Sequence, residues 1–517
     1  MFVIAATLGS VVLGFAREVI NARIYGTQSE MDAFLSAATI PTILFGVFNG
    51  ALVSALVPTF SGYLAHDDEA GAWRLGNTIV SLLGILLIAC ATLGYLAAPL
   101  YVPIVAHGFS GAKLEMTVRM TQMLMPSVVA VSLAGVVSAM LNAYHRFRAT
   151  AMVGIAVNLV TIGIVLWLSG RDGIYALAYG TAFGLAAQLL VQLPAFLRIG
   201  KFRFQLDLAH PGLRHMWSSL GPIVVGSAAG QVALFFDRFF ASTLTPGYIA
   251  GMNYAVKLTN LPQQVFAAAI ATVIFPLIAA QFARANRAAV GRSVVTGLRL
   301  VNFITIPAMV ALVVLARPIV STLFERGAFA STATDLCAGL LPYAAAGLVG
   351  LAACVVLTRC CFACQEVGWT VAISIFTVVV NVLLSLIWLP TLGARGLLLA
   401  NSLSQSLQAL LLLGLVWRLV TGIEWRPLIV STVKILAASG VMFATLHWIG
   451  AMGIAPPVTL LDKVWFLFGQ LAIGGLSFLA ASYVLRIEEL PLVWHTIRAK
   501  FERNLISPPD NRDAPIA

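Results

Sequence analysis

The chain has 517 residues, 60% of them hydrophobic and only 10% charged, with a mean hydropathy of +0.95 and a formal net charge of +11. The apolar residues come in long runs rather than at the spacing of amphipathic soluble helices, which excludes a soluble catalytic or nucleic-acid-binding domain. With no connection long enough to fold alone, the positive charge is a topology signal first.

A helix needs about 20 apolar residues to cross a bilayer, because every backbone polar group must be satisfied within the segment. Such segments fall near residues 1–24, 33–64, 76–105, 115–143, 149–169 and 174–198. After the basic connection RIGKFRFQLDLAHPGLRH they resume near 214–243, 248–283, 293–324, 334–364, 367–389, 393–420, 427–449 and 461–485. The fold class is therefore an all-α polytopic membrane protein of about fourteen transmembrane helices. The first segment, FVIAATLGSVVLGFA, is short for a span unless the helix runs on through Arg17 to about Tyr25, which leaves room for sequence upstream of Met1. With the N-terminus inside, inner loops and tail hold roughly 19 Lys and Arg against roughly 7 outside, so both termini are expected in the cytoplasm. The tail IRAKFERNLISPPDNRDAPIA is basic, then polar and Pro-rich, as expected of a disordered segment at the membrane surface.

An internal repeat runs through these segments. IPTILFGVFNGALVSALVP and LPQQVFAAAIATVIFP each open on an aliphatic residue and a proline, and Pro41 and Pro262 are 221 positions apart. The same offset places Arg17 on Arg238. A parallel repeat of this kind implies two pseudo-symmetric six-helix lobes around a central cavity, with substrate bound between them. The expected organisation is a lobe over 1–198, a cytoplasmic linker over 199–213, a second lobe over 214–420, a final helix pair over 421–485 and a cytoplasmic tail over 486–517.

Polar residues inside these segments are the candidates for function, since an arginine at the bilayer centre costs about 2.5–3.5 kcal/mol and usually faces a wet cavity or a partner. Gly14, Arg17 and Asn21 share one helical face. Asn253, Lys257, Asn260 and Gln264 recur at i, i+4, i+7 and i+11, a polar stripe on an otherwise apolar helix. Asp32, Ser36, Thr39 and Gly46 form a milder one, with Asn49 beside it. Two stripes on corresponding helices favour a central cavity, in which Arg17 and Lys257, as unpaired positive groups, suit an anion such as a diphosphate. A snorkelling Arg17, or one paired structurally with a carboxylate, is the plainer reading. Asp237, adjacent to Arg238, and Asn381 are candidates for a coupling cation or proton, against a structural salt bridge. Cys360, Cys361 and Cys364 have one Cys-x-x-Cys spacing but no second ligand pair nearby, so no metal and no cofactor are expected. The HDDEAG turn lacks a supporting domain, and no Ser, His and Asp arrangement suggests an enzyme.

Several stretches, in this order, resemble one family over nearly the whole chain: GFAREVINARIYG with MDAF, IPTILFGVF with ALVP, SLAGVVSAMLNAYHRF, DRFFASTLTPG, MNYAVKLTNLP with TVIFPLIA, and LFERGAF. The chain resembles the MurJ (MviN) lipid II flippases of the multidrug/oligosaccharidyl-lipid/polysaccharide exporter superfamily. The resemblance implies export of an undecaprenyl-diphosphate-linked glycan across the bacterial inner membrane by alternating access, with membrane lipids and a possible counter-ion as the other partners and no nucleic acid. It also implies cavity roles for Arg17, Asp32 and Lys257, the last standing where the family usually has arginine. Substrate-binding candidates are thus Arg17, Asp32, Asn49, Asn253, Lys257 and Asn260. Family cavity charges are replaced here by Val11, by Phe45 with Gly46, and by Asn49, which leaves a different polyprenyl-linked glycan as the alternative substrate. A cation-coupled multidrug exporter is disfavoured by Arg17 and Lys257.

Overall fold

A computed structural model describes residues 2–200, 202–420, 424–452 and 459–491; the side chains of residues 4, 48–55, 214–215, 217–227 and 229 lie outside the description. Nineteen α-helices and no strand occur among the described residues. In chain order they are α1 (Phe2–Tyr25), α2 (Ser29–Ala37), α3 (Thr39–Ala65), α4 (Glu69–Val105), α5 (Gly111–Ala143), α6 (Phe147–Ala151), α7 (Val153–Asp172), α8 (Tyr175–Ile199), α9 (Pro211–Ser242) and α10 (Tyr248–Pro262). After a π-helical turn, Gln263–Ala267, come α11 (Ala268–Ala283), α12 (Arg287–Val314), α13 (Ala316–Phe324), α14 (Ser331–Ala345), α15 (Leu348–Ala363), α16 (Val367–Leu392), α17 (Ala394–Leu419), α18 (Trp425–Ala451) and α19 (Leu460–Val484).

Every apolar segment expected from the sequence lies on one or two of these helices. Among the described residues, eleven stretches are long and apolar enough to cross a membrane, or twelve if α14 and α15 form one broken span. α1 continues through Arg17 to Tyr25, the condition under which the first segment is long enough. The two prolines matched by the repeat both fall at breaks. Pro41 lies in the first turn of α3, just after the interruption at Ala38, where a missing N–H costs nothing. Pro262 ends α10 and is followed directly by the wide π turn, so the regular helical ladder is interrupted at this proline.

By contact the chain divides into one unit of Met1–Leu258, Leu323–Ala344 and Val367–Ser404, and a second of Thr259–Thr322, Ala345–Glu366 and Gln405–Ala517. In the first unit α5 packs against α2, α3, α4 and α8, α1 against α7, and α9 against α3 and α16. One core of this unit joins Leu56 and Phe60 of α3, Leu75, Ile79 and Leu83 of α4, and Met125, Val137 and Met140 of α5. The connection from α8 to α9 runs along α4: the backbone N–H groups of Arg203, Gln205 and Asp207 donate to Asn77, Ser81 and Thr78, and Arg74 pairs with Asp207 at 3.0 Å. A polar stripe on α4 thus satisfies an extended segment that has no strand partner. At the same end Trp73 donates to the Tyr144 hydroxyl and that hydroxyl donates to Glu69, each at 2.9 Å. Burial and the neighbouring carboxylate push the Tyr144 phenol up to about 12.

In the second unit α12 packs against α11, α15 and α18, and α18 against α19. Small residues permit the close approaches: Gly350 of α15 faces the Ser406 backbone, and Gly474 of α19 faces Leu446 of α18.

Candidate functional site

Arg17 and Lys257, distant in sequence, meet at one carboxylate. Arg17 Nη2 lies 3.0 Å and Lys257 Nζ 3.7 Å from the same oxygen, Oε1 of Glu18. The carboxylate is the buried member: side-chain exposure is 10% for Glu18 against 25% for Arg17 and 44% for Lys257. Two cations share one anion, so the cluster keeps a formal charge of +1 and presents its positive ends outward. The expectation that both cations are unpaired is therefore corrected. Glu18 was missed because, as the immediate neighbour of Arg17, it points about 100° away along the helix, and only the long guanidinium reach closes that gap.

Packing brings the cluster together. Phe15 of α1, Tyr254 of α10, and Phe324 and Phe329 of the LFERGAF stretch form one aromatic group with ring centroids 5.1–6.2 Å apart. Phe15 precedes Arg17 by two residues and Tyr254 precedes Lys257 by three. The same stretch and α10 together clasp the end of α1: the Ala328 N–H donates to the Arg23 carbonyl at 2.8 Å, and the Tyr254 hydroxyl of α10 donates to the Gly26 carbonyl at 3.4 Å. Gly26 (φ +57°) and Gly327 (φ +61°) hold left-handed conformations there, and a Cβ on either would run into the carbonyl oxygen of the opposite segment, Ala328 or Arg23. On its other side α1 packs closely on α7, where Asn158 donates to the carbonyls of Ser10 (3.1 Å) and Gly154 (2.9 Å) next to Gly14. Asn21, one turn beyond Arg17, is buried with its Oδ1 unpartnered among the described atoms.

On α10, Tyr254, Ala255 and Leu258 are buried, whereas Asn253 is half-buried and Val256 and Lys257 are exposed. The polar stripe is therefore the outward face of the helix. Asn260 is half-buried three residues further on, in the second unit, and Gln264 lies within the π turn, where the regular spacing that placed it on the stripe no longer applies.

Asp32 lies elsewhere in the same unit. It is 1% exposed and accepts the backbone N–H groups of Gly247 (2.6 Å) and Ala250 (2.8 Å), with Lys113 Nζ at 3.4 Å. It caps the start of α10 from across the unit, since its oxygens take the donors that a helix leaves unsatisfied at its N-terminus. Gly247 (φ +94°) allows the approach. Lys113, which no sequence signal singled out, also lies over the Phe109 ring at 3.9 Å.

Asp237 and Arg238 are adjacent and half-buried on α9, and Arg238 feels the charge of both Asp237 and Asp32. Asn381 on α16 is buried, its Oδ1 accepting from Ser385 at 3.1 Å. Val11, Phe45 and Gly46 are half-buried, and Gly46 is covered by the Gln231 side chain. Asn49 lies outside the described side chains. No group of His, Cys, Asp and Glu that could hold a metal occurs among the described residues.

Known proteins resemble the chain over most of its length. Residues 21–457 match the family model described as lipid II flippase MurJ. A probable lipid II flippase MurJ of Rhizobium meliloti is 28% identical over 512 residues, covering 95% of this chain and 94% of that protein. The lipid II flippase MurJ of Burkholderia cenocepacia is 28% identical over 455 residues, 86% and 88% of the two chains. Among solved structures, a lipid II flippase MurJ in an inward closed conformation has a TM-score of 0.79 at 24% identity and covers 93% of this chain and 98% of its own. An inward-facing MATE multidrug transporter of the MOP superfamily has a TM-score of 0.66 at 16% identity, with 81% and 96% covered. These last two likenesses bear on the fold, whereas the family model spans most of the sequence: the chain belongs to the MurJ family of lipid II flippases, transporters rather than enzymes.

Proposed function

We propose that the chain exports lipid II, the undecaprenyl-diphosphate-linked peptidoglycan precursor, from the inner to the outer leaflet of the bacterial cytoplasmic membrane by alternating access. The observation that carries this reading is the cluster of Arg17 and Lys257 on Glu18. A diphosphate brings about two negative charges and a geometry that suits the guanidinium fork of Arg17 and the mobile ammonium of Lys257. Glu18 holds the two cations while the site is empty, and the diphosphate takes its place. Without that internal anion, two cations would face an apolar membrane unpaired. Asn253 and Asn260 offer amides to the head group, and Asn49 joins them by its place in the family pattern. Asp32 acts at one remove, by fixing the start of the helix that carries Lys257.

In this reading the chain has fourteen spans, two six-helix lobes over 1–198 and 214–420 and a final pair over 421–485, with both termini cytoplasmic. The lobes rock about the site while the lipid tail stays in the membrane. Outward movement of each uncompensated negative charge is favoured by about 2.3 kcal/mol per 100 mV, inside negative. Asp237 and Asn381 are the candidates for a counter-ion that resets the cycle. The test is rescue of a bacterium depleted of its own lipid II flippase, at matched membrane levels. The parent chain rescues, and Arg17→Ala and Lys257→Ala do not. Failure of the parent despite good expression would move the substrate to another polyprenyl-linked glycan, and rescue by both variants would remove the two cations from the mechanism.

A further inference from the structure

A second polar site lies in the other unit. Where α18 begins and α19 ends, against α12, Arg299, Arg426, Ser431, Lys434, Arg486 and Glu489 line a cavity of about 350 Å³. Glu488 stands at its edge, so four basic groups face two carboxylates and the formal charge is +2. Both carboxylates are turned to Arg299: Nη2 meets Glu488 Oε2 at 2.7 Å, Nε meets Glu489 Oε1, and Ser431 donates to that same oxygen at 2.6 Å. Arg299 holds the Glu488 carboxyl below the usual carboxylate range. Lys434 donates to the Arg486 carbonyl at 3.3 Å, which draws its ammonium to the rim beside Arg486.

Three features indicate a ligand. Arg426 is exposed in the first turn of α18, where a cation opposes the helix dipole and contributes nothing to helix stability. Glu489 is 3% exposed, yet its Oε2 has no hydrogen-bond partner among the described atoms, so it awaits a donor. The helix surfaces bordering the cavity are bare and apolar: Val433 is 59% and Val484 76% exposed. A basic cavity opening onto apolar helix surface fits a head group with acyl chains attached, whereas a free anion would use only the cations.

We propose that this cavity holds the head group of an anionic phospholipid bearing a hydroxyl, of the phosphatidylglycerol type. Arg426, Lys434 and Arg486 meet the phosphate, Glu489 Oε2 accepts from the head-group hydroxyl, and the acyl chains lie along α18 and α19. The topology proposed above places the site in the inner leaflet, but the binding itself does not depend on the transport reading.

The test is native mass spectrometry of the purified full-length protein titrated with phosphatidylglycerol or phosphatidylcholine. Phosphatidylglycerol binds at least tenfold more tightly. The double variant Arg426→Gln/Lys434→Gln loses about 25-fold of that affinity, roughly fivefold per basic residue, while phosphatidylcholine binding is unchanged. Arg426→Gln alone, at an exposed position where folding does not need the charge, loses about fivefold. Equal binding of the two lipids, or variants that bind as the parent does, would overturn the proposal. Displacement by millimolar inorganic phosphate would also overturn it by assigning the cavity to a free anion.

Discussion

Replacing Asp32 by Asn is isosteric and tests what the carboxylate does at the start of α10. Asp32 Oδ2 accepts from Gly247 N–H and faces Lys113, and Oδ1 accepts from Ala250 N–H. An asparagine keeps one acceptor and turns an NH2 group toward donors on the other side. It therefore loses one hydrogen bond to a charged group and the ion pair with Lys113. The first is worth about 1.5–3 kcal/mol. The second leaves an ammonium whose side chain is only 18% exposed without its partner. Lys113 keeps some water, so a total of about 2–4 kcal/mol is expected for local opening at this turn. The readout is hydrogen–deuterium exchange of the peptide spanning 243–252 in purified protein. Exchange should accelerate by roughly 30-fold to several hundredfold, since each 1.4 kcal/mol is a factor of about ten. Exchange within a factor of about two of the parent, with Asp32→Asn correctly folded, would refute the assignment of Asp32 as the anchor of α10.

Three further outcomes follow from described contacts. Glu18→Gln frees Arg17 and Lys257 from their shared carboxylate and should tighten binding of undecaprenyl diphosphate to the purified protein by about tenfold, as expected when a competing charge is removed; unchanged or weaker binding would contradict the exchange of Glu18 for substrate. Gly26→Ala imposes a left-handed conformation costing about 1–2 kcal/mol on an L-residue and drives a methyl into the Ala328 carbonyl, so the thermal unfolding midpoint should fall more than for Gly163→Ala, where a Cβ meets open space. The Tyr144 phenol titrates at about 12, above its ordinary 10, so its contribution to stability is complete below pH 10 and is lost as pH rises from 10 to 12. Phenolate absorbance compared between parent and Tyr144→Phe should show one group titrating near 12, and a midpoint at 10 would remove the coupling to Trp73 and Glu69.

Helices were legible because a membrane span announces itself by length and apolarity, and each expected segment meets a helix at nearly its expected ends. The breaks at Pro41 and Pro262 were legible through the repeat, since proline acts on its own helix. Arg17 and Lys257 stood out for the same kind of reason, as charges where charge is expensive. What the sequence hid is their charge balance. Glu18 is adjacent to Arg17 in sequence, and helical geometry alone points the two apart, so its bond to both cations depends on side-chain reach and on the approach of α10. Asp32 was legible as a polar residue near the membrane but not as a cap, because the donors it serves are Gly247 and Ala250, more than two hundred positions away. Lys113 had no signal at all, since a lysine two residues into α5 sits where a span begins and needs no partner inside the membrane. Nor did the Gln263–Ala267 turn, which breaks the count that put Gln264 on the stripe.

The clasp between the end of α1 and the LFERGAF stretch has a consequence for how such chains vary and recombine. Each glycine occupies the space that the opposite backbone requires: Gly26 makes room for Ala328, and Gly327 for Arg23. Neither segment has room to gain a side chain there unless the other moves with it, so the two behave sterically as one piece. A chimera that takes residues 20–28 from one family member and 323–329 from another is therefore safe only when both donors share the same loop lengths. An insertion on either side would separate Phe15 from Tyr254, and with them the arms that carry Arg17 and Lys257 to Glu18.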